Sequence, residues 1–225
     1  MKKINKFPKI VFHIITAFPE AFSYLFTSIL KRAQDKRIVK IKIYDIKNYS
    51  KGNIDDRPYG GGPGMVLKAQ PFLNVLEKIL KNSKFKKNER KIIFFDLKGK
   101  IFNQKMANYL KKYKELILIC GHYEGVDERV AKISDLKISI GPYILSGGEI
   151  PAMILVDSIS RLIDGVLNNP SSLEEKRNYF SFPVYTRPNV VKFFNKNLIV
   201  PKVLLSGDHL KIKKWQEKKG KKLFI

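Results

Sequence analysis

The sequence has little cysteine and histidine, and it has no long hydrophobic segment. One cysteine and three histidines occur in 225 residues, and they lie far apart, so no spacing typical of a metal site is present. Cys120 cannot form an internal disulfide, and it lies in an apolar stretch, which favours a reducing cytoplasm and a role in core packing. No apolar stretch approaches the roughly 18 residues that cross a membrane. We therefore expect no structural metal, no disulfide framework and no membrane-spanning role.

Acidic residues are also scarce relative to basic ones. The chain has 20 Asp and Glu against 44 Lys and Arg, a formal net charge of +24. Part of this excess is typical of a codon bias, because 36 of the 44 basic residues are lysine and isoleucine and asparagine are also abundant. Even so, this many positively charged side chains repel one another unless a polyanion offsets them, so a nucleic-acid partner is predicted.

Residues 115–153 concentrate the features of a ligand site. Residues 116–120 form a short apolar stretch that stops at a glycine, and residues 138–140 form another. Two buried strands that end in glycine and polar loops describe the carboxyl edge of an α/β sheet, where such sheets bind ligands. Glycine lets a backbone approach a flat ligand closely. Each glycine alone is an ordinary turn residue, but together they predict a binding site.

The first half of the chain alternates strand-like and helix-like segments. Strands are predicted at residues 10–16, 39–44 and 91–100, the last of which ends in a glycine loop at Gly99. Helices are predicted at residues 20–36, 71–80 and 103–114. This alternation predicts an α/β fold with a mostly parallel sheet. Residues 165–183 combine turn residues and charge without a period, which is typical of an interdomain linker. A small module follows, and its basic helix at residues 210–219 around Trp215 favours nucleic-acid contact.

A glycine-rich loop, residues 55–65 (DDRPYGGGPGM), is the densest Gly and Pro cluster and cannot be regular secondary structure. It lacks the Lys-Ser or Lys-Thr of a Walker A motif and the Gly-x-Gly-x-x-Gly dinucleotide fingerprint. The residues alone leave two interpretations open, a loop that grips a substrate and an ordinary surface loop. Arg161, on a helix face with Asp157, is by itself typical of a solvated or salt-bridged arginine.

These motifs together resemble the bacterial tRNA (guanine-N1)-methyltransferases. The matching segments follow the family's order along nearly the whole chain: residues 18–20 (FPE), 55–65, 116–130 (LILICGHYEGVDERV), 139–149 (SIGPYILSGGE), 151–153 (PAM), 157–161 (DSISR), 185–188 (YTRP) and 204–207 (LLSG). The resemblance implies an α/β fold with a mostly parallel sheet and a deep trefoil knot, which pattern analysis would not propose. It also implies a small, mainly helical C-terminal domain. The implied organisation is a knotted cofactor-binding domain at residues 1–167, a linker at 168–184 and a short tRNA-binding domain at 185–225.

The resemblance further implies an activity and its partners. It implies transfer of a methyl group from S-adenosylmethionine to N1 of the guanosine directly 3′ of the anticodon (guanosine 37), when another guanosine precedes it. The implied enzyme is a cytoplasmic homodimer that contacts the anticodon stem-loop of tRNA, without a membrane. Mg²⁺ is a candidate second cofactor, and no resident metal ligand is assigned.

Site residues are assigned at the positions that match the family's motifs. Arg161 is expected to stabilise the charge that develops on guanine O6, and Glu175 is expected to remove the N1 proton. The residues expected to bind the cofactor are Phe94, Gly99, Gly121, Tyr123, Glu124, Ser139, Ile140, Gly141, Pro142, Tyr143, Ile144, Leu145, Gly147 and Gly148. The residues expected to bind tRNA are Asp55, Asp56, Arg57, Tyr59, Arg187, Ser206 and His209.

The sequence departs from the family at three places. Glu175 stands where the family has aspartate, and its extra methylene displaces the carboxylate enough to matter for rate. Pro142 replaces a common aspartate, and residues 96–99 (DLKG) replace a Ser-Pro-Gln-Gly type loop. Two alternatives stay open: an impaired relative that binds tRNA without turnover, and a knotted RNA methyltransferase with another target, such as a ribose 2′-hydroxyl. The retained glycine-rich loop and Arg161 argue against the second alternative.

Overall fold

The computed structural model describes residues 7–168 and 182–220. The chain divides into two compact units, residues 1–168 and 169–225. Most of the predicted linker, residues 168–184, lies outside the described residues. In the part of the chain that is described, no helix is long and apolar enough to cross a membrane.

A parallel β-sheet forms the centre of the first unit. The strands of this unit are β1 (Ile10–Thr16), β2 (Val39–Asp45), β3 (Asp55–Asp56), β4 (Val66–Leu67), β5 (Arg90–Ile101), β6 (Glu115–Ile119) and β7 (Leu136–Ser139). Five of them form one sheet in the order β2-β1-β6-β5-β7, and every neighbouring pair is parallel. Every residue of β1 and β6 is buried, as expected for strands covered on both faces. The predicted α/β fold with a mostly parallel sheet is confirmed.

Helices cover this sheet. They are α1 (Ser28–Asp35), α2 (Ala69–Asn82), α3 (Gln104–Leu110), α4 (Glu128–Lys132) and α5 (Glu149–Ser160), with 3-10 helices at Pro19–Phe26, Ile46–Tyr49 and Lys87–Glu89. The apolar side of α2 is buried through Phe72, Val75 and Ile79, which pack in one core cluster with Ile15 and Ile117 of the sheet. The spacing of three and four residues along α2 places these side chains on one helix face.

Two predicted elements differ from the structure. The single helix predicted at residues 20–36 is interrupted, because Thr27 is extended and Ser28 has a φ of 45°. This bend lets Leu25 and Leu30, on either side of it, both reach the core. The glycine loop predicted near residue 99 is instead part of β5, which continues to Ile101 through an irregular pairing with β7.

The second unit contains a hairpin and two helices among its described residues. Strands β8 (Val190–Phe193) and β9 (Lys196–Ile199) pair in antiparallel fashion, and α6 (Lys202–Leu205) and α7 (His209–Lys219) follow. The hairpin was not predicted from the sequence. The Asp208 side chain accepts a hydrogen bond from the Lys211 backbone N–H at 3.0 Å and so caps α7. The rings of Tyr185 and Trp215 lie 6.4 Å apart.

Candidate active site

A cavity of about 380 Å³ lies at the carboxyl ends of β6 and β7 and beside residues 94–97 of β5. This is the edge where an open parallel sheet is expected to bind ligands. Twelve of the fourteen predicted cofactor residues line it: Phe94, Gly121, Tyr123, Glu124, Ser139, Ile140, Gly141, Tyr143, Ile144, Leu145, Gly147 and Gly148. The structure therefore brings together two segments that are about twenty residues apart in the sequence.

Gly99 and Pro142 do not line this cavity. A Cβ atom on Gly99 would lie 2.6 Å from the backbone N of Ile138, so the missing side chain lets β5 approach β7. Sequence reasoning also missed lining residues: Phe95, Asp96, Leu97, His122, Gly125, Val126, Glu128, Ile138, Ser146 and Pro151. Each of these residues lies within a few positions of a predicted cofactor residue in the sequence. This closeness is the signal that could have identified them.

The two loops that form the cavity, residues 121–125 and 140–148, are in direct backbone contact. The Gly148 N–H donates to the Gly121 carbonyl at 2.8 Å, and His122 and Gly147 form an isolated β-bridge. A Cβ atom on Gly148 would lie 2.7 Å from Cα of Cys120. The glycine pair therefore allows two segments of the protein to approach each other, in addition to any approach to a ligand.

Glu149, the first residue of α5, connects three elements behind the cavity. Its carboxylate is buried and accepts a hydrogen bond from the Thr16 hydroxyl at 2.8 Å, and its other oxygen lies 3.5 Å from His122 Nδ1. The Phe18 ring packs on the His122 ring, with 4.4 Å between the centroids. Phe18 of the FPE segment therefore packs directly on His122 at the cavity wall, and Thr16 acts on His122 only through Glu149.

The cavity is lined by acidic but not basic side chains. Asp96, Glu124 and Glu128 line it, and no lysine or arginine is among the described residues that do so. Lys137 lies 2.8 Å from Glu128 and 3.9 Å from Asp96, and so offsets part of this charge. An acidic lining favours a ligand that carries positive charge.

The glycine-rich loop begins and ends in the β3–β4 hairpin, which is attached to the cavity wall. The Leu67 N–H donates to the Gly125 carbonyl at 3.0 Å, and the Glu124 N–H donates to the Met65 carbonyl at 3.2 Å. A Cβ atom on Gly64 would lie 2.5 Å from Cγ of Glu124. The Tyr59 side chain is fully exposed. A loop anchored at the cavity with an exposed aromatic residue is better suited to grip a substrate than an unattached surface loop is.

The head of this loop carries its charged residues. Asp55 pairs with Leu67 and Asp56 pairs with Val66 in the hairpin. A hydrogen bond from the Arg57 backbone N–H, together with Lys68, holds the pKa of Asp56 below its usual value. Asp56 is therefore ionised at neutral pH.

Arg161 follows the last residue of α5 and does not line the cavity of its own chain. Its backbone N–H donates to the Asp157 carbonyl at 3.1 Å. The 12 residues of α5 begin at Glu149, and they separate Arg161 from the cavity end of the helix by about 18 Å along its axis, at 1.5 Å per residue. Glu175 lies outside the described residues.

The predicted tRNA residues of the second unit flank its helices. The Ser206 hydroxyl donates to the Val203 carbonyl at 2.8 Å at the end of α6, and His209 begins α7. Arg187 is exposed. Among residues 7–168 and 182–220, no group of three or more potential metal ligands is found.

The fold and the cavity define an α/β protein with a cavity at the carboxyl ends of parallel strands, where such sheets bind small ligands. Comparison with known proteins identifies the family. The model of the family described as tRNA (Guanine-1)-methyltransferase TrmD matches residues 10–223, and the chain belongs to this family.

Individual relatives match the chain along most of its length. The tRNA (guanine-N(1)-)-methyltransferase of Clostridioides difficile (strain 630) is 45% identical over 218 residues, which cover 93% of this chain and 91% of that protein. The protein of the same name from Dictyoglomus turgidum is 44% identical and covers 94% and 86%. The crystal structure of tRNA (m1G37) methyltransferase from Aquifex aeolicus superposes with a TM-score of 0.78 at 38% identity, covering 94% of this chain and 90% of that one. The predicted family resemblance is confirmed.

Proposed function

We propose that this chain methylates N1 of the guanosine directly 3′ of the tRNA anticodon, using S-adenosylmethionine, when a guanosine precedes the target. The observation that carries the proposal is the family match over residues 10–223, together with a cavity at the strand ends lined by twelve of the fourteen expected cofactor residues. The high net positive charge of +24 suits a tRNA substrate. The proposed location is the cytoplasm, where such a substrate is found.

The cavity suits S-adenosylmethionine by size and charge. Its volume of about 380 Å³ lies within the range of roughly 300–1,000 Å³ that small-molecule sites occupy. When bound, S-adenosylmethionine supplies an electrophilic methyl group on a positively charged sulfur. The carboxylates of Glu124 and Glu128 line the cavity and would favour that positive charge. Backbone groups of the loops at residues 121–125 and 140–148 would hold the rest of the molecule.

The proposed reaction requires a base and a cation at the guanine. The base, Glu175, takes the N1 proton as the N1 electron pair forms the new bond to the methyl carbon and the carbon–sulfur bond breaks. Arg161 offsets the negative charge that develops on O6. Removal of either charge is expected to lower kcat by about 10²- to 10³-fold, the size of the effect when one such stabilising group is lost.

The proposed assembly is a homodimer. Arg161 lies at the far end of α5 from the cavity of its own chain, so a second copy is needed to place this residue beside a cofactor. Tyr24, Phe26, Ile150 and Ile154 expose apolar side chains on α5 and on the 3-10 helix that packs against it. Exposed apolar groups of this kind mark contact surfaces between proteins. Sedimentation of the protein at micromolar concentration tests the dimer, and a mass of one chain at all concentrations would exclude it.

The proposed tRNA surface includes Asp55, Asp56, Arg57 and Tyr59 of the first unit. In the second unit the proposed tRNA surface includes Arg187, Ser206 and His209.

The proposed fold includes a trefoil knot at the cofactor loops. The family match supports the knot. The proposed domains keep their expected bounds, residues 1–167 and 185–225 with the linker between them.

The test is methyl transfer to an unmodified tRNA with two guanosines at the 3′ edge of the anticodon. The control tRNA has the first of these guanosines, the one that precedes the target, replaced. Glu175→Gln and Arg161→Gln each remove one charge and are expected to lower kcat without changing cofactor affinity. Glu175→Asp restores the family's residue and is expected to stay active. The presence of Glu175 where the family has aspartate favours a second candidate, a relative that binds tRNA without turnover. Binding of both ligands with no transfer would establish that candidate instead.

The same assay with EDTA tests Mg²⁺, and an unchanged rate would exclude Mg²⁺ as a cofactor.

A further inference from the structure

A second cavity, of about 1,380 Å³, lies at the opposite end of the same sheet. We call it the amino-edge cleft, because most of its lining lies at or near the starts of β1, β2 and β6 and at the end of α2, although it also extends along β2 as far as Tyr44. It shares no lining residue with the cofactor cavity. Its volume exceeds the roughly 300–1,000 Å³ of a small-molecule site, and it is open to solvent, so it suits an extended ligand.

The amino-edge cleft is strongly basic. Seven basic residues line it, Lys9, Arg37, Lys40, Lys42, Lys78, Lys84 and Lys114, against two carboxylates, Glu89 and Glu115. Glu89 is 2.6 Å from Lys114 and accepts a hydrogen bond from the Lys86 backbone N–H. Its charge is thus already offset by Lys114.

The other carboxylate, Glu115, is also neutralised by neighbours. It is buried and lies 3.1 Å from His13, 2.7 Å from the Ser83 hydroxyl and 3.2 Å from Nε of Arg90. Burial by itself raises the pKa of Glu115, but the hydrogen bonds from His13 and Ser83 and the charge of Arg90 outweigh it and lower the pKa. Both acids of the cleft are therefore paired. Lys9 and Lys78 donate hydrogen bonds to the neutral Asp164 carbonyl and Tyr49 hydroxyl, so their charges are not offset by a carboxylate.

Lys40 and Lys42 are two exposed cations of the cleft that lie on the same edge strand. They alternate with the buried Val39 and Ile41 on β2, so both lie on the cleft face of the edge strand. In the described part of the chain neither forms an ion pair within 4.0 Å. Lysines on an edge strand protect it against aggregation, but this role does not require the cations that Lys9 and Lys84 add from other elements.

The two cavities of the sheet have opposite charge. The cofactor cavity is lined by carboxylates without a lysine or arginine among the described residues, whereas the amino-edge cleft is lined by seven basic residues. Like charges gathered around one cleft repel each other unless an anion offsets them. A phosphate backbone is the polyanion that an RNA-modifying protein meets.

We propose that the amino-edge cleft binds the sugar-phosphate backbone of the tRNA substrate outside the anticodon arm. The proposal rests on the proposed function for the identity of the RNA. The seven residues of β1 separate the two ends of the sheet by about 23 Å, at 3.3 Å per residue. Lys9, Lys40 and Lys114, at the amino ends of the strands, would therefore contact a part of the tRNA that is distant from the methylated base.

The test compares two matched double variants. Lys40→Gln/Lys42→Gln removes two charges from the cleft, and the control Lys105→Gln/Lys112→Gln removes two charges from exposed residues that line neither cavity. The affinity for full-length tRNA and for an isolated anticodon stem-loop is measured at several salt concentrations. For full-length tRNA, the cleft variant is expected to bind about 10-fold more weakly than the control. The slope of log K against log salt is expected to fall by about 1.5, because each phosphate contact contributes about 0.7–0.9.

The stem-loop and the turnover number separate this proposal from general charge effects. Both variants are expected to bind the stem-loop equally and to have the native kcat at saturating tRNA. Equal affinity of the two variants for full-length tRNA would overturn the proposal and would favour an acidic protein as the ligand of the cleft. An equal loss for tRNA and stem-loop would also overturn it. Binding does not require turnover, so the two proposals can fail separately. If the cleft variant loses affinity for tRNA but the native protein never methylates it, the proposed function alone is contradicted.

Discussion

Gly148→Ala tests whether the cofactor cavity depends on close contact between its two loops. The added Cβ would lie 2.7 Å from Cα and 3.2 Å from Cβ of Cys120, and 3.0 Å from the backbone N of Gly121. Two of these atoms are backbone and belong to the end of a buried strand, so they cannot rotate away. Gly148 has a φ of −84° and a ψ of −2°, which alanine also adopts, so the effect comes from crowding and not from backbone strain.

The expected size follows from overpacking in a well-packed interior, which costs about 1–3 kcal/mol. If the loop moves away from β6 to relieve the contact, that energy appears as weaker cofactor binding, about 5- to 150-fold in Kd. Calorimetric titration with S-adenosylmethionine measures it. Gly52→Ala is the matched control, because a Cβ there meets nothing within 4 Å and Gly52 does not require a positive φ. If both variants bind the cofactor with the native Kd and melt at the native temperature, the loop contact does not shape the site.

Two further predictions concern stability. Glu115→Gln leaves Arg90 without its buried carboxylate and is expected to lower the free energy of unfolding, measured by urea denaturation, by about 3 kcal/mol. The exposed control Glu77→Gln should leave that free energy nearly unchanged, and equal losses in the two variants would contradict the buried role of Glu115. Hydrogen bonds from Arg129 lower the pKa of Asp127 from 3.8 to about 2, so the folded state gains stability from this carboxylate above pH 4 and loses it as the pH falls towards 2. The difference in the free energy of unfolding between the native protein and Asp127→Asn should therefore be present at pH 7 and vanish near pH 2. A difference that does not change with pH would contradict the stabilising role of the ionised Asp127.

The sequence predicts elements whose signal is local. Strand β1 agrees with its prediction at both ends, because a continuous apolar stretch lies between prolines and is buried on both faces. The cavity is predicted because strands that end in glycine point to the carboxyl edge of a parallel sheet. The break at Ser28 could not be predicted, since its positive φ is favourable only when Leu25 and Leu30 both pack in the core.

Long-range contacts account for most of what the sequence did not reveal. Gly147 and Gly148 line the cavity as predicted, but the sequence could not show that they also admit another loop of the protein. The network of Glu149, Thr16 and His122 joins residues that are more than 100 positions apart. The amino-edge cleft likewise gathers lysines from separate segments, which only the strand order β2-β1-β6 brings together.

The most direct test of the account is the identity of the methylated nucleoside. The native protein is incubated with S-adenosylmethionine and an unmodified tRNA that has two guanosines at the 3′ edge of the anticodon, and the digested product is examined by mass spectrometry. The proposed function predicts 1-methylguanosine at the second guanosine only, and none when the first is replaced. A 2′-O-methylated nucleoside, or methylation that ignores the preceding base, would contradict it.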